Sequence, residues 1–275
     1  MNNSTLNFTV PEPSTTKAIG IVETVNICMH SFSFLVGLPT HCYVAWLIIS
    51  RAGNGVASEF FVLNLSVSEI GFCVNCLTFV LSQWFSFIVD FKLYLIGLII
   101  SGRPLFQCLI CVEYYLAVVH PVTFLKYKPL RYKVICGSVT WIIILGSCLC
   151  CMFTILRHYI VHMWFLSVQF LFFFLIQLFC LVAVLRALKQ SGPSERRRET
   201  EEENHMKRRA FYLILITTVT MVITYAPYCI SGFLTIVTGK IFEAQWVPGL
   251  FCYVLAGFVQ PVLYLHRARK LSCLL

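Results

Sequence analysis

The stretch VHMWFLSVQFLFFFLIQLFCLVAVLRAL, Val161–Leu188, carries one Asp, Glu, Lys or Arg, the Arg186 near its end. A helix rises about 1.5 Å per residue, so about twenty residues of this composition cross the roughly 30 Å hydrocarbon layer of a bilayer. Six further runs of the same kind surround it: Ile21–Ser50, Ser58–Val80, Phe91–Val119, Val134–Leu156, Ala210–Val237 and Ala244–Leu265. Membrane barrels alternate polar and apolar residues in segments of about ten, and these continuous runs do not. The sequence therefore predicts an all-α membrane protein, a seven-transmembrane-helix bundle.

Composition agrees. Of the 275 residues, 59% are hydrophobic and 12% charged, against about 45–50% and about 25% in soluble domains. Water cannot solvate so much apolar surface around so small a chain. This excludes a soluble enzyme, a nucleic-acid-binding domain and a disulfide-stapled secreted module.

The net charge of +9 is distributed by topology. With the N-terminus outside, the outer segments hold Lys17, Lys92, Arg157 and Lys240. The inner ones hold sixteen basic residues: Arg51, Lys126, Lys128, Arg131, Lys133, eight between Arg186 and Arg209, and Arg267, Arg269 and Lys270. The positive-inside rule then places the N-terminus outside and a short C-terminal helix in the cytoplasm. Residues 1–20 read as an extracellular tail, 21–265 as the seven-helix domain and 266–275 as a cytoplasmic tail. The tail has no apolar h-region, so no cleavable signal is expected. Asn2, Asn3 and Asn7 each open an Asn-X-Ser/Thr glycosylation acceptor. Ser191–His205, within a third inner loop of about 189–209, reads as a flexible charged segment.

Thirteen of the fourteen cysteines fall inside the apolar runs. Buried cysteine usually serves as a small hydrophobe, so neither a disulfide nor a metal site is expected. Cys148, Cys150 and Cys151 lack convergent His or acidic partners. Cys273, beside Arg267, Arg269 and Lys270, is a candidate palmitoylation site.

Local motifs carry a resemblance. Gly37-Leu-Pro-Thr-His-Cys-Tyr-Val44, Asn64-Leu-Ser-Val-Ser-Glu69, Cys111-Val-Glu-Tyr-Tyr-Leu-Ala-Val-Val-His-Pro-Val-Thr-Phe124, Trp141, Tyr225-Ala-Pro-Tyr228 and Gln260-Pro-Val-Leu-Tyr264 occur in that order. The set resembles class A (rhodopsin-like) G-protein-coupled receptors, loosely their nucleotide, lipid and carboxylic-acid branch. The resemblance implies a plasma-membrane receptor that passes an extracellular ligand signal to a heterotrimeric G protein. The coupling and switch positions it implies are Glu113, Tyr114, Tyr115, Tyr225, Pro227, Gln260, Pro261 and Tyr264. It implies no enzyme activity and no cofactor.

Departures from that pattern matter as much. His41 replaces the family's first-helix Asn, Glu69 its second-helix Asp, Tyr225 its sixth-helix Trp and Gln260 its seventh-helix Asn. Phe173 stands near the place of the fifth-helix proline, and both partners of the outer disulfide are missing. The third-helix arginine is Tyr114, so Glu113 has no adjacent guanidinium. Its inactive-state lock should be weaker or built from tyrosine hydroxyls, with weakened coupling. Two rivals stay open: a non-signalling or decoy protein that pairs with another receptor, and a transporter or channel. The final run holds no lysine for a retinal Schiff base, and Ile96 stands where an aminergic receptor needs an acid. Lys92, Arg157, His158, His162 and Lys240 could form a rim that attracts an anionic ligand, or be ordinary rim charges.

Two charges lie deep in the membrane. A lone charge at the bilayer centre costs about 2.5–3.5 kcal/mol on insertion scales. Glu69 and Arg103 sit at matching depth, roughly 16–18 Å from the inner ends of their helices at 1.5 Å per residue. They are expected to pair, either as a packing strut or as a functional core. In the resembled family these positions flank a sodium ion, whose charge Arg103 would here supply covalently. Glycosylation of the outer tail is checked directly: glycosidase treatment of cell-expressed protein should raise its electrophoretic mobility, and an unshifted band on surface protein would remove the glycosylation part of the reading.

Overall fold

The computed structural model describes residues 13–50, 59–127, 129–157, 159–190, 197–239 and 243–272. Its first span comprises α1 (Pro13–Phe32), a π-helical turn (Ser33–Gly37) and α2 (Leu38–Ser50). The second is α3 (Phe60–Leu81), and the third is α4 (Val89–Val119), entered through a 3-10 turn at Ser86–Ile88. A short α5 (Pro121–Tyr127) leads to α6 (Leu130–Arg157), α7 (Tyr159–Gln190) and α8 (Arg197–Thr238). The last span follows a 3-10 turn (Glu243–Trp246) and is divided into α9 (Val247–Gly257) and α10 (Val259–Ser272). Seven segments are long and apolar enough to cross a bilayer, and no strand occurs among the described residues. The protein is a multi-pass membrane protein with a seven-helix fold.

Prolines set the two irregular spans. Pro39 has no N–H for the carbonyl one turn back, and the helix beside it widens into the π turn. Cys73 meets that turn, donating its Sγ to the Ser33 carbonyl at 3.5 Å. Pro261 likewise leaves the Gly257 carbonyl without its helical partner, and the last span breaks at Phe258, between α9 and α10. Pro104 and Pro227 are carried inside continuous helices.

The third span is the axis. Within its most apolar window 72% of residues are buried, against 22% for the fifth span. It packs on α3, α6, α7 and α8. Trp46, Ile142, Phe172, Phe179 and Ile230 point outward from the bundle, which is the pattern lipid contact requires and water would penalise.

Several boundaries differ from the sequence reading. α6 starts at Leu130, before Val134, and ends at Arg157, with α7 resuming at Tyr159. The flexible-loop reading of Ser191–His205 fails from Arg197 onward, because α8 already begins there. No Gly or Pro follows Pro193 in that segment, and Arg198 with Glu202, and Glu203 with Lys207, stand four apart. Opposite charges at that spacing support a helix. Residues 191–196 lie outside the described set. At the C-terminal end, the short helical segment expected after Leu265 is contiguous with the seventh span, since α10 runs on to Ser272.

α4 and α6 are in close backbone contact at Gly97, where an added Cβ would strike the backbone of Ser147 and Cys148. Gly97→Ala should therefore cost about 1–3 kcal/mol through overpacking. Gly146→Ala, whose Cβ meets nothing within 4 Å, should instead gain about 0.5–1 kcal/mol from helix propensity. Thermal unfolding of the two variants in nanodiscs checks both signs.

Candidate functional site

The core is built around one ion pair. α3 presents Glu69 and α4 presents Arg103, at 3% and 2% exposure. Arg103 Nε donates to Glu69 Oε1 at 2.5 Å and Nη2 to Oε2 at 2.6 Å. This is the two-pronged geometry that makes a carboxylate–guanidinium pair strong. The third guanidinium nitrogen, Nη1, donates to the Tyr253 carbonyl at 2.8 Å. The same guanidinium lies 3.6 Å from the centre of the Tyr253 ring and 5.9 Å from that of Phe72. Gly257 closes the site: a Cβ there would stand 3.0 Å from Arg103 Nη2.

Toward the N-terminal end of the bundle lies a cavity of about 400 Å³. Tyr225, Tyr228 and Tyr253 form its deep wall, with ring centroids 6.2–6.4 Å apart where they pair. Tyr225 and Tyr253 both donate their hydroxyls to the Ile99 carbonyl, at 3.3 and 3.1 Å. Ile96, Ile100, Leu166 and Met163 supply apolar wall. Three basic residues line it as well: His30, Lys92 and His162. Of the proposed anionic-ligand rim, the structure thus brings Lys92 and His162 to one cavity. The Arg157 side chain, His158 and Lys240 lie outside the described residues, as do Asn2, Asn3, Asn7 and Cys273.

Glu113, Tyr114 and Tyr115 lie toward the opposite end, whereas Pro227 stands between Tyr225 and Tyr228. Glu113 accepts from Lys133 Nζ at 2.5 Å, across α4 and α6. The sequence suggests a lock that is weaker or built from tyrosine hydroxyls; the structure adds a partner that reading does not include, a lysine from the next span. Tyr114 borders a cavity of about 150 Å³ together with Glu59, Glu113 and Phe124. Tyr115 pairs its hydroxyl with His120 Nε2 at 3.1 Å and packs on Phe179. Trp141 Nε1 donates to Asn64 Oδ1 at 2.8 Å. Gln260 donates to Thr217 Oγ1 at 3.5 Å, Pro227 sits within α8, and Tyr264 packs with Val44 and Ile48.

No protein-family model matches the sequence. Curated relatives do, among them chemokine XC receptor 1 of Mus musculus, 27% identical over 119 residues, and its namesake of Homo sapiens, 27% identical over 192 residues. The matches cover 42% and 64% of this chain, and 37% and 57% of the respective receptors. Both relatives are class A receptors. The chain is similar to the rhodopsin-like G-protein-coupled receptors. The matched segments span well under two thirds of either relative.

Against this receptor background, three cavity and switch residues carried no sequence signal. Tyr253 is one tyrosine among twelve, distinguished only by the guanidinium on its face. Lys133 was indistinguishable from the basic residues that set topology. His30 belongs to no sequence motif, yet it stacks on Phe79 at 3.9 Å and lines the cavity. Its four-residue offset from Asn26, whose carbonyl its Nδ1 contacts at 2.7 Å, could have fixed its direction but not its neighbour.

The ion pair sets a clear expectation. Removing one member leaves a buried charge and costs about 3–5 kcal/mol, whereas removing both costs less. Glu69→Gln should lower surface expression and the unfolding midpoint, and adding Arg103→Gln should restore part of both. Strictly additive losses in this double-mutant cycle would show that the pair contributes no coupling.

Proposed function

We propose that this protein is a class A receptor of the plasma membrane, with its N-terminus outside. It binds an extracellular, anionic ligand in the 400 Å³ cavity and acts on a heterotrimeric G protein at the opposite end. One observation carries the reading. Tyr253 lines the cavity while its ring and carbonyl hold Arg103. A ligand that displaces Tyr253 therefore disturbs the buried ion pair. Such coupling needs only that the ligand bind two core arrangements unequally. Lys92, in a cavity with no carboxylate among its described lining residues, favours an anion, and the class A likeness supports the G protein.

Coupling is proposed to be weak. Tyr114 has one hydroxyl and no permanent charge where the family's arginine would stand, and Glu113 is engaged by Lys133. The same two observations favour a second reading, a non-signalling protein that dimerises with a competent receptor. GTP exchange on reconstituted protein, screened against carboxylates, nucleotides, lipids and chemokines, separates the two. Tyr114→Arg at matched surface density should raise exchange by about five- to 150-fold, the range of ordinary coupling energies. Unchanged exchange in a protein that already signals strongly would overturn the role given to Tyr114.

A further inference from the structure

We infer that the cavity takes a single-tailed amphiphile with one anionic head, a long-chain carboxylate being its simplest member. The inference rests on the receptor reading for the cavity's role, and on the lining for the ligand's chemistry.

The head group is set by Lys92, with the His162 imidazole lining the same cavity. Lys92 stands in the first turn of α4, near the membrane boundary. It donates to Ser82 Oγ at 3.4 Å and lies 5.3 Å from the centre of the Phe79 ring. His30 stacks on that same ring, so an ammonium and an imidazole share one aromatic plate at the cavity wall. His162, on α7, is 4% exposed, and its Nδ1 is buried with no hydrogen-bond partner among the described residues. A buried polar atom left unpaired is costly and marks where another group completes the bond. Among the described lining residues there is no carboxylate. Asn75 and Tyr228 add only neutral polar groups, so the negative charge that complements Lys92 arrives with the ligand.

The tail is set by what lies deeper. Ile96, Ile99 and Ile100 follow Lys92 down α4 by one and two turns, and Leu166 follows His162 by one turn along α7. A nucleotide or a polar peptide would leave its own donors and acceptors unpaired against these walls, which is unfavourable. A hydrocarbon tail loses nothing there and gains with each methylene. The volume of about 400 Å³ suits one such chain, at the small end of ligand sites. The tail end would meet Tyr225 and Tyr253, the wall that adjoins the ion pair.

Trp246 also lines the cavity and supplies the readout. The protein in nanodiscs is titrated with ω-bromoundecanoate, ω-bromoundecanol and inorganic phosphate, with Trp246→Phe subtracting quenching of lipid-facing tryptophans. The carboxylate should quench Trp246 saturably, the alcohol at least about tenfold more weakly, and phosphate not at all. Shortening the carboxylate by two methylenes should weaken binding about tenfold. Lys92→Met should remove the preference for carboxylate over alcohol, and Lys92→Arg should retain it. A matching alkyl phosphate distinguishes a free carboxylate from a phosphate-headed lipid as the source; saturable binding of either supports the class. Equal binding of alcohol and carboxylate, or an unchanged preference in a folded Lys92→Met protein, would overturn it. Saturable binding without any GTP exchange would sink the receptor reading alone. Exchange evoked only by short or uncharged ligands would sink this inference alone.

Discussion

A carboxylate and a guanidinium that leave water together must find each other, because neither can be solvated by the lipid or by the packed helices around them. Glu69 and Arg103 meet that demand with two hydrogen bonds at 2.5 and 2.6 Å. Much of the bundle is arranged around this contact. Gly257 keeps the seventh span free of a Cβ that would press on Arg103. Pro261 sits one turn beyond, where the span breaks between α9 and α10. Tyr253 gives its carbonyl and its ring to the remaining guanidinium face. The pair thus ties three spans together at mid-membrane.

The two ends of the bundle depend on that tie differently. On the N-terminal side, Tyr253 and Tyr225 turn their hydroxyls to the Ile99 carbonyl and their rings to the cavity. Cavity shape and ion-pair geometry therefore share atoms. The other side is built on separate contacts. That end has its own ion pair, with Lys133, and a second interhelical anchor in Asn64 and Trp141. A signal crossing the bundle would travel as a rearrangement of α4 against its neighbours, since α4 carries both Arg103 and Glu113.

The departures from the receptor pattern are chemically consistent with one another. Arg103 brings a fixed positive charge into the core, and Glu69 supplies the carboxylate that neutralises it. Loss of the third-helix arginine frees Glu113, and Lys133, itself 6% exposed, occupies the vacancy. In each case a charge within the bundle is paired with one from an adjacent span.

The sequence alone determined the seven spans, because twenty apolar residues in a row have one stable environment. It also determined that Glu69 and Arg103 lie at matching depth, since depth follows from residue count along a helix. It could not say which helix faces face each other. That is decided by how helices rotate and pack, and a period of 3.6 residues leaves no stripe to read when every side is apolar. So the stacking of Tyr253 under Arg103, the gathering of His30, Lys92 and His162 at one cavity, and the capture of Glu113 by Lys133 emerged only with the tertiary structure. The extension of α8 back to Arg197 was missed for the opposite reason. A charged segment reads as loop by composition, while the four-residue spacing of its opposite charges favours helix, and only the folded chain showed which term prevailed.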